Sequence, residues 1–138
     1  MQPLPHLRDI MVRELITLRP DMEILRAMDI LLKRRISGAC VVDAQGALLG
    51  VLSKKDCMRA ALHGAYHQDR GSSVSHHMST QIEALDPELD LLSVAERFLS
   101  SKFRRFPVLE NGQLVGQVSR TDVLRALMEN WGSVVKPA

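Results

Sequence analysis

Two stretches of the chain set a hydroxyl, cations and a carboxylate at one spacing. The first is Gly50-Val51-Leu52-Ser53-Lys54-Lys55-Asp56; the second is Gly116-Gln117-Val118-Ser119-Arg120-Thr121-Asp122. Each reads glycine, two residues of strand character, serine, two mostly basic residues, aspartate. Each runs on into a short apolar helical segment, residues 57–62 or 123–128. A serine where a strand turns into a helix can cap that helix. The free amides and the helix dipole then favour an anion. The aspartate stands at the same helix mouth and is able to accept hydrogen bonds from a diol. The same pattern also works as a plain capping box, with the acid satisfying the helix end.

The elements that position these residues form an internal repeat. Met11/Met78, Leu18/Leu85, Pro20/Pro87, Leu25/Leu92, Leu32/Leu99 and Val41/Val108 share an offset of 67. One residue is lost where Asp43-Ala44-Gln45-Gly46 faces Glu110-Asn111-Gly112. Gly46/Gly112, Leu48/Leu114, Gly50/Gly116, Ser53/Ser119, Asp56/Asp122 and Arg59/Arg125 then keep an offset of 66. The shift falls in a turn, where an indel is well tolerated. Matches in register on both sides of it argue for duplication.

Within each half the order is strand, helix, strand, strand, helix. In the first, Leu15-Ile16-Thr17-Leu18 reads as a strand and Arg19-Pro20-Asp21 breaks it. From Glu23 the apolar residues Leu25, Met28 and Leu32, with Ile24, Ala27 and Leu31 beside them, recur with helical period. Residues 39–42 and 47–52 form a hairpin around Gly46. A helix from Ser53 ends near Leu62, with Gly64 as its stop. The polar stretch from His63 to Ser75 is the linker. In the second half, Ile82-Glu83-Ala84-Leu85 is the first strand. Asp90 caps a helix that buries Leu91, Val94, Ala95, Phe98 and Leu99. A hairpin of residues 106–109 and 113–118 follows, then a helix from Ser119 to about Trp131, stopped by Gly132.

The remaining composition narrows the function classes. The chain has 138 residues, 46% hydrophobic and 25% charged, which fits one compact domain or two very small ones. A net charge of +2 and only five aromatic residues of the Phe, Tyr and Trp types argue against nucleic acid. Cys40 and Cys57 sit among apolar neighbours and read as buried reduced thiols. No apolar run reaches membrane-spanning length, and the start lacks a signal-peptide core, so a cytoplasmic protein is expected. His63, His67, His76 and His77 invite a metal, but Gly64 breaks the helix that would align the first two. They read as solvated linker histidines, and no metal site is assigned. Trp131 packs the last helix or a partner surface. No nucleophile–base constellation appears, so no catalytic residue is assigned and the chain is not expected to be an enzyme.

A tandem pair of βαββα units, each ending in Gly-h-h-Ser-x-x-Asp, resembles a pair of cystathionine-β-synthase (CBS) domains, also called a Bateman module. The resemblance spans roughly Leu7 to Met128. Pro107 matches the proline at the start of the family's second strand; the first half has Cys40 there. The resemblance implies an α/β (α+β) fold of two repeats packed about a pseudo-twofold axis through their sheets. The repeats would be residues 7–64 and 76–132, with a linker at 65–75. It implies a regulatory module for adenosine-containing ligands: AMP, ADP, ATP or S-adenosylmethionine. One cleft would join Ser53, Lys55 and Asp56 to Ala84, Arg104, Arg105 and Phe106. The other would join Ser119, Arg120, Thr121 and Asp122 to Thr17, Ser37, Gly38 and Ala39. The aspartates would accept from ribose hydroxyls, hairpin backbone would read the adenine edge, and basic residues would meet phosphates.

A homodimer is expected, through the helices after each hairpin, and an unknown regulated protein would be acted on in trans. The rival classes are a nucleic-acid-binding module and a purely structural or dimerising CBS module without ligand.

Overall fold

In the computed structural model, residues 3–67 and 72–135 are described. The chain divides into two compact units, Ile16–Ile82 and Met1–Leu15 with Glu83–Ala138. The unit boundaries do not follow the sequence repeat. The opening residues of the first repeat, through Leu15, belong with the second hairpin, and those of the second repeat, through Ile82, belong with the first.

The unit 16–82 holds β1 (Thr17–Leu18), α2 (Ile24–Arg34), β2 (Gly38–Val42), β3 (Leu48–Ser53) and α3 (Lys54–His67). Helix α1 (Leu7–Ile10) lies in the other unit. The sheet order is β1-β2-β3, with β1 parallel to β2 across α2 and β2 antiparallel to β3. A two-residue β1 is shorter than the four-residue strand read from sequence, because β2 offers it partners only at Cys40 and Val41. The hairpin turn closes as its residues predict. Asp43 Oδ1 accepts from the amides of Gln45 and Ala47, and Gly46 takes φ 83°.

Helix α2 turns Ile24, Ala27 and Leu31 into the core, and Arg35 in the left-handed region ends it. Leu25 and Leu32, which periodicity also assigns to the core, are 65% and 68% exposed. They sit on a second apolar stripe, off the Ile24–Ala27–Leu31 line. Helix α3 does not stop at Gly64; it continues to His67. A helical glycine costs only about 1 kcal/mol relative to alanine. Burial of Cys57 and Ala60 on the same helix anchors the turns ahead of it.

The segment after α3 docks on this unit. Val74 is fully buried, its amide donates to Met22 O, and the Ile24 amide donates to Ser72 O. Residues 74–76 form a 3-10 turn. Val51 and Ser79 exchange backbone hydrogen bonds of 2.9 Å each. Met78 then lies on Gly50, where an added Cβ would stand 2.7 Å from its sulfur and 2.8 Å from Ser79 O. The glycine of the motif is therefore a close-approach residue for a methionine.

The other unit repeats the device. It contains α1, α4 (Leu91–Leu99), β4 (Arg105–Glu110), β5 (Gln113–Ser119), α5 (Arg120–Glu129) and α6 (Trp131–Val135). β4 and β5 pair antiparallel. The expected strand at 82–85 reduces to one parallel bridge, Leu85 with Val108. Val12 and Gln117 exchange backbone hydrogen bonds, and Met11 lies on Gly116, its sulfur 2.6 Å from where a Cβ would be. Arg8 bridges Glu88 and Glu110, tying α1 to this unit, and holds the Glu110 carboxyl below its usual range.

Asp90 caps α4 through a 2.8 Å bond from the Ser93 amide. Leu91, Val94 and Phe98 enter the core, whereas Leu99 is 88% exposed and does not. Gly132 does not stop the last helix; α5 ends at Glu129 and α6 carries the chain through Gly132. Asn130, whose side-chain amide donates to Ala126 O, marks the break instead.

Candidate ligand-binding helix starts

The two Ser-x-x-Asp segments have almost the same atomic arrangement. At α3, Asp56 Oδ2 accepts from the Ser53 amide and hydroxyl, both at 2.9 Å, and Ser53 Oγ accepts from the Asp56 amide at 3.1 Å. At α5, Asp122 Oδ2 accepts from the Ser119 amide at 2.8 Å and its hydroxyl at 2.9 Å, and the Asp122 amide donates back at 3.2 Å. Both are capping boxes. The plain capping role is thus realised in each half, and it occupies one carboxylate oxygen.

The second oxygen separates the two ends. A carboxylate offers about four acceptor positions, two per oxygen. Asp56 Oδ1 accepts a 2.9 Å hydrogen bond from Arg59. Asp122 Oδ1 faces Arg125 at 3.7 Å, an ion pair beyond hydrogen-bond reach. Asp122 therefore keeps both Oδ1 positions for a hydroxyl donor, whereas Asp56 shares its Oδ1 with a guanidinium. Neither side chain is deeply buried, at 13% and 14% exposure.

Hairpin entry brings further residues to each helix start. In the unit 16–82, Gly38 pairs with Ser53 and the Lys54 amide donates to Ser37 O at 2.9 Å. Ser37, Gly38 and Ala39 thus run beside Ser53. Thr17 pairs with Cys40 on the neighbouring strand. Lys54 and Lys55 are exposed at this end. In the other unit, Arg105 pairs with Ser119 and the Arg120 amide donates to Arg104 O at 3.3 Å. Arg104, Arg105 and Arg120, all exposed, therefore gather at the helix start that bears Thr121 and Asp122, whereas the sequence reading groups Arg104 and Arg105 with Asp56, and Ser37, Gly38 and Ala39 with Asp122. Ala84 precedes Leu85, whose backbone bonds to Pro107 and Leu109.

Phe106 and Ala39 offer backbone only. Phe106 is fully buried against Phe98 and Phe103, and Ala39 is 4% exposed. Beside Asp56, burial and the acid's charge push the Cys57 thiol upward, which keeps it protonated and a poor nucleophile. Residues 68–71 of the expected linker lie outside the described residues. His63 and His67, set apart in sequence by Gly64, meet on one helix face with ring centroids 4.5 Å apart. The signal for this is their i, i+4 spacing, which too much weight on Gly64 as a helix breaker masks. No helix among the described residues is long and apolar enough to cross a membrane.

A family model described as "CBS domain" matches residues 7–63 and 73–129. An uncharacterized protein of Methanocaldococcus jannaschii, MJ1225, is 28% identical over 90% of this chain. The chain spans 43% of that relative's length. The CBS domain-containing protein YhcV of Bacillus subtilis is 30% identical over 89% of this chain and 86% of its own. Among solved structures, CBSX2 in complex with AMP superposes with a TM-score of 0.79. It shares 26% identity and covers 91% of this chain and 97% of that one. CBSX2 comes from Arabidopsis thaliana.

Proposed function

The chain belongs to the CBS-domain family as a tandem pair, and from that premise we propose that its two Ser-x-x-Asp helix starts hold an adenosine-containing ligand. CBS pairs are regulatory modules that bind such ligands. The finer reading names AMP, ADP, ATP or S-adenosylmethionine as the ligand and a partner protein in trans as the reader. The observation that carries it is the duplicated capping box, which holds Asp56 and Asp122 rigidly while leaving acceptor capacity on Oδ1. A ribose diol matches that capacity. Thr17, Ser37, Gly38, Ala39, Ser53, Lys55 and Asp56 are the candidate contacts of one unit. Ala84, Arg104, Arg105, Phe106 by its backbone, Ser119, Arg120, Thr121 and Asp122 are those of the other. The arginine cluster beside Ser119 suits phosphate, since guanidinium forks and charge-assisted bonds favour phosphate oxygens.

A thermal-shift panel of AMP, ADP, ATP, S-adenosylmethionine and adenosine tests the reading. A ligand held at a hundredfold excess over its Kd stabilises the folded state by about 2.7 kcal/mol, several degrees in Tm. A flat panel, with every ligand matching buffer at millimolar concentration, returns the chain to a structural module.

The same proposal includes a homodimer. Met58 and Leu62 on α3, and Leu124 and Met128 on α5, are each more than half exposed, as is Trp131 at the start of α6. Contiguous exposed apolar side chains of this size mark an interaction surface. Light scattering at tens of micromolar is expected to give twice the 15.4 kDa chain mass. The monomer mass alone would leave these side chains without the proposed cover.

A further inference from the structure

Helices α2 and α3 leave an apolar groove between them, within the unit 16–82. Its volume is about 320 Å³, and Leu31 and Cys57, both buried, form its floor. Met28 and Leu32 line it from α2, Met58 and Ala61 from α3. These residues stand three and four apart, on one face of each helix. Lys54 is the one charged residue of the lining. It opens α3 beside the end of α2, where its amide donates to Ser37 O at 2.9 Å.

The internal repeat shows what can close such a seam. Ala61 corresponds to Leu127 and Leu31 to Phe98. Leu127 is half-buried against the core cluster that holds Phe98 and Val123, whereas Ala61 is exposed. The volume that a leucine takes in one half is thus left to the groove in the other. Met28, where the second half has the smaller Ala95, is an unbranched and adaptable side chain that can yield to a ligand.

Charge is distributed unevenly along the groove. Lys54, Lys55, Arg34 and Arg35, all exposed, gather at its Lys54 end and form no ion pair among the described residues. The single acid within each helix is engaged: Asp29 by Lys33, and Asp56 by the Ser53 cap and Arg59. We propose that this groove binds a free single-chain carboxylate of medium length, its tail along the seam and its head at Lys54. Predominantly apolar walls with one polar group that fixes orientation are the usual build of a small-molecule site, and the volume lies at the lower end of such sites. From Lys54 to Ala61 the seam runs about 10 Å at the helical rise. Over that length the volume allows a cross-section of about 30 Å², enough for an alkyl chain and too narrow for a partner helix about 10 Å across.

The test follows the methionine methyl resonances of the full chain by NMR, without nucleotide, as sodium decanoate is added. Decanoate is expected to shift Met28 and Met58 saturably, and to leave Met11, in the other unit, and Met128, exposed on α5, in place. Octanoate, shorter by two methylenes, should bind about tenfold more weakly. Decyltrimethylammonium, with the same tail and the opposite charge, should bind at least fivefold more weakly than decanoate. Lys54→Gln should weaken decanoate binding about three- to fivefold, the worth of an exposed ion pair, and narrow the gap between the two heads. Ala61→Leu, which copies Leu127, should weaken both at least tenfold with Met11 unmoved. Parallel shifts at Met11 and Met128 would reduce the effect to general adsorption. Variants that respond like the parent would overturn the site. Shifts at Met28 and Met58 that follow protein dilution, with no response to decanoate, would give the groove to a second copy of the chain. Co-sedimentation with phosphatidylglycerol vesicles, again without a decanoate response, would give it to a membrane surface. None of these outcomes depends on whether the helix starts hold an adenosine-containing ligand.

Discussion

Phe106→Ala is expected to lower the stability of its unit by about 3–5 kcal/mol, the usual cost of truncating a fully buried phenylalanine. Phe106 has no exposed surface, and its ring centroid lies 4.6 Å from that of Phe98 and 5.9 Å from that of Phe103. Leu85, Leu91, Val94, Val108 and Val118 belong to the same cluster and are also buried. Truncation would remove both ring contacts and leave a cavity that backbone pairing of β4 with β5 prevents from closing. Such a loss is a large part of the 5–15 kcal/mol that typically holds a domain. The contrast is its neighbour Arg105, which is exposed; Arg105→Ala is expected to stay within about 0.5 kcal/mol. Urea unfolding of both variants checks the pair. A Phe106→Ala midpoint equal to that of the parent would mean that the ring does not carry the core. If Phe106 instead served the ligand by its side chain, truncation would spare stability and reduce affinity.

What the sequence makes legible and what it conceals divide along the range of the interaction. Features set by a few neighbouring residues are readable. Asp90 is the cap of α4, Gly46 and Gly112 carry the positive φ of the two turns, and both Ser-x-x-Asp segments form capping boxes. The dual nature of the last is also visible, because one carboxylate can cap and still accept. Features set by distant partners are not. The repeat marks Met11 and Met78 as equivalent, but nothing local says that each lies on a glycine of a hairpin far along the chain. Nor does composition say that Val12, near the start of the first repeat, pairs with Gln117 rather than within its own repeat. Periodicity fails in a specific way at Leu25, Leu32 and Leu99. It reports that a residue is apolar at a helical spacing, not whether the core or another surface covers it. At Gly64 the error is energetic: a penalty of about 1 kcal/mol does not amount to a stop. Treating it as one conceals the pairing of His63 with His67.

At the helix starts, the largest functional effect is expected at Asp122. Asp122→Ala should weaken AMP binding by about 10- to 100-fold, since a hydrogen bond to a charged acceptor contributes roughly 1.5–3 kcal/mol. The same substitution removes half of a capping box, which costs about 1 kcal/mol and leaves the fold intact. Asp56→Ala should cost less affinity. One of its two Oδ1 positions already accepts from Arg59, so a diol finds a single position there, whereas the 3.7 Å Arg125 pair at Asp122 leaves both open. Loss of affinity alone would not separate a ribose contact from a disturbed cap. The cycle with 2′,3′-dideoxy-AMP does. If Asp122 reads the diol, removing the hydroxyls from the ligand and the carboxylate from the protein are not additive, because both delete one contact. The dideoxy ligand should then bind the parent and Asp122→Ala with nearly the same Kd. Additive losses would mean that the carboxylate acts only through the helix start it caps. Ser119→Ala completes the separation. It removes the hydroxyl of the cap but leaves the carboxylate, so AMP should still bind it more tightly than the dideoxy ligand.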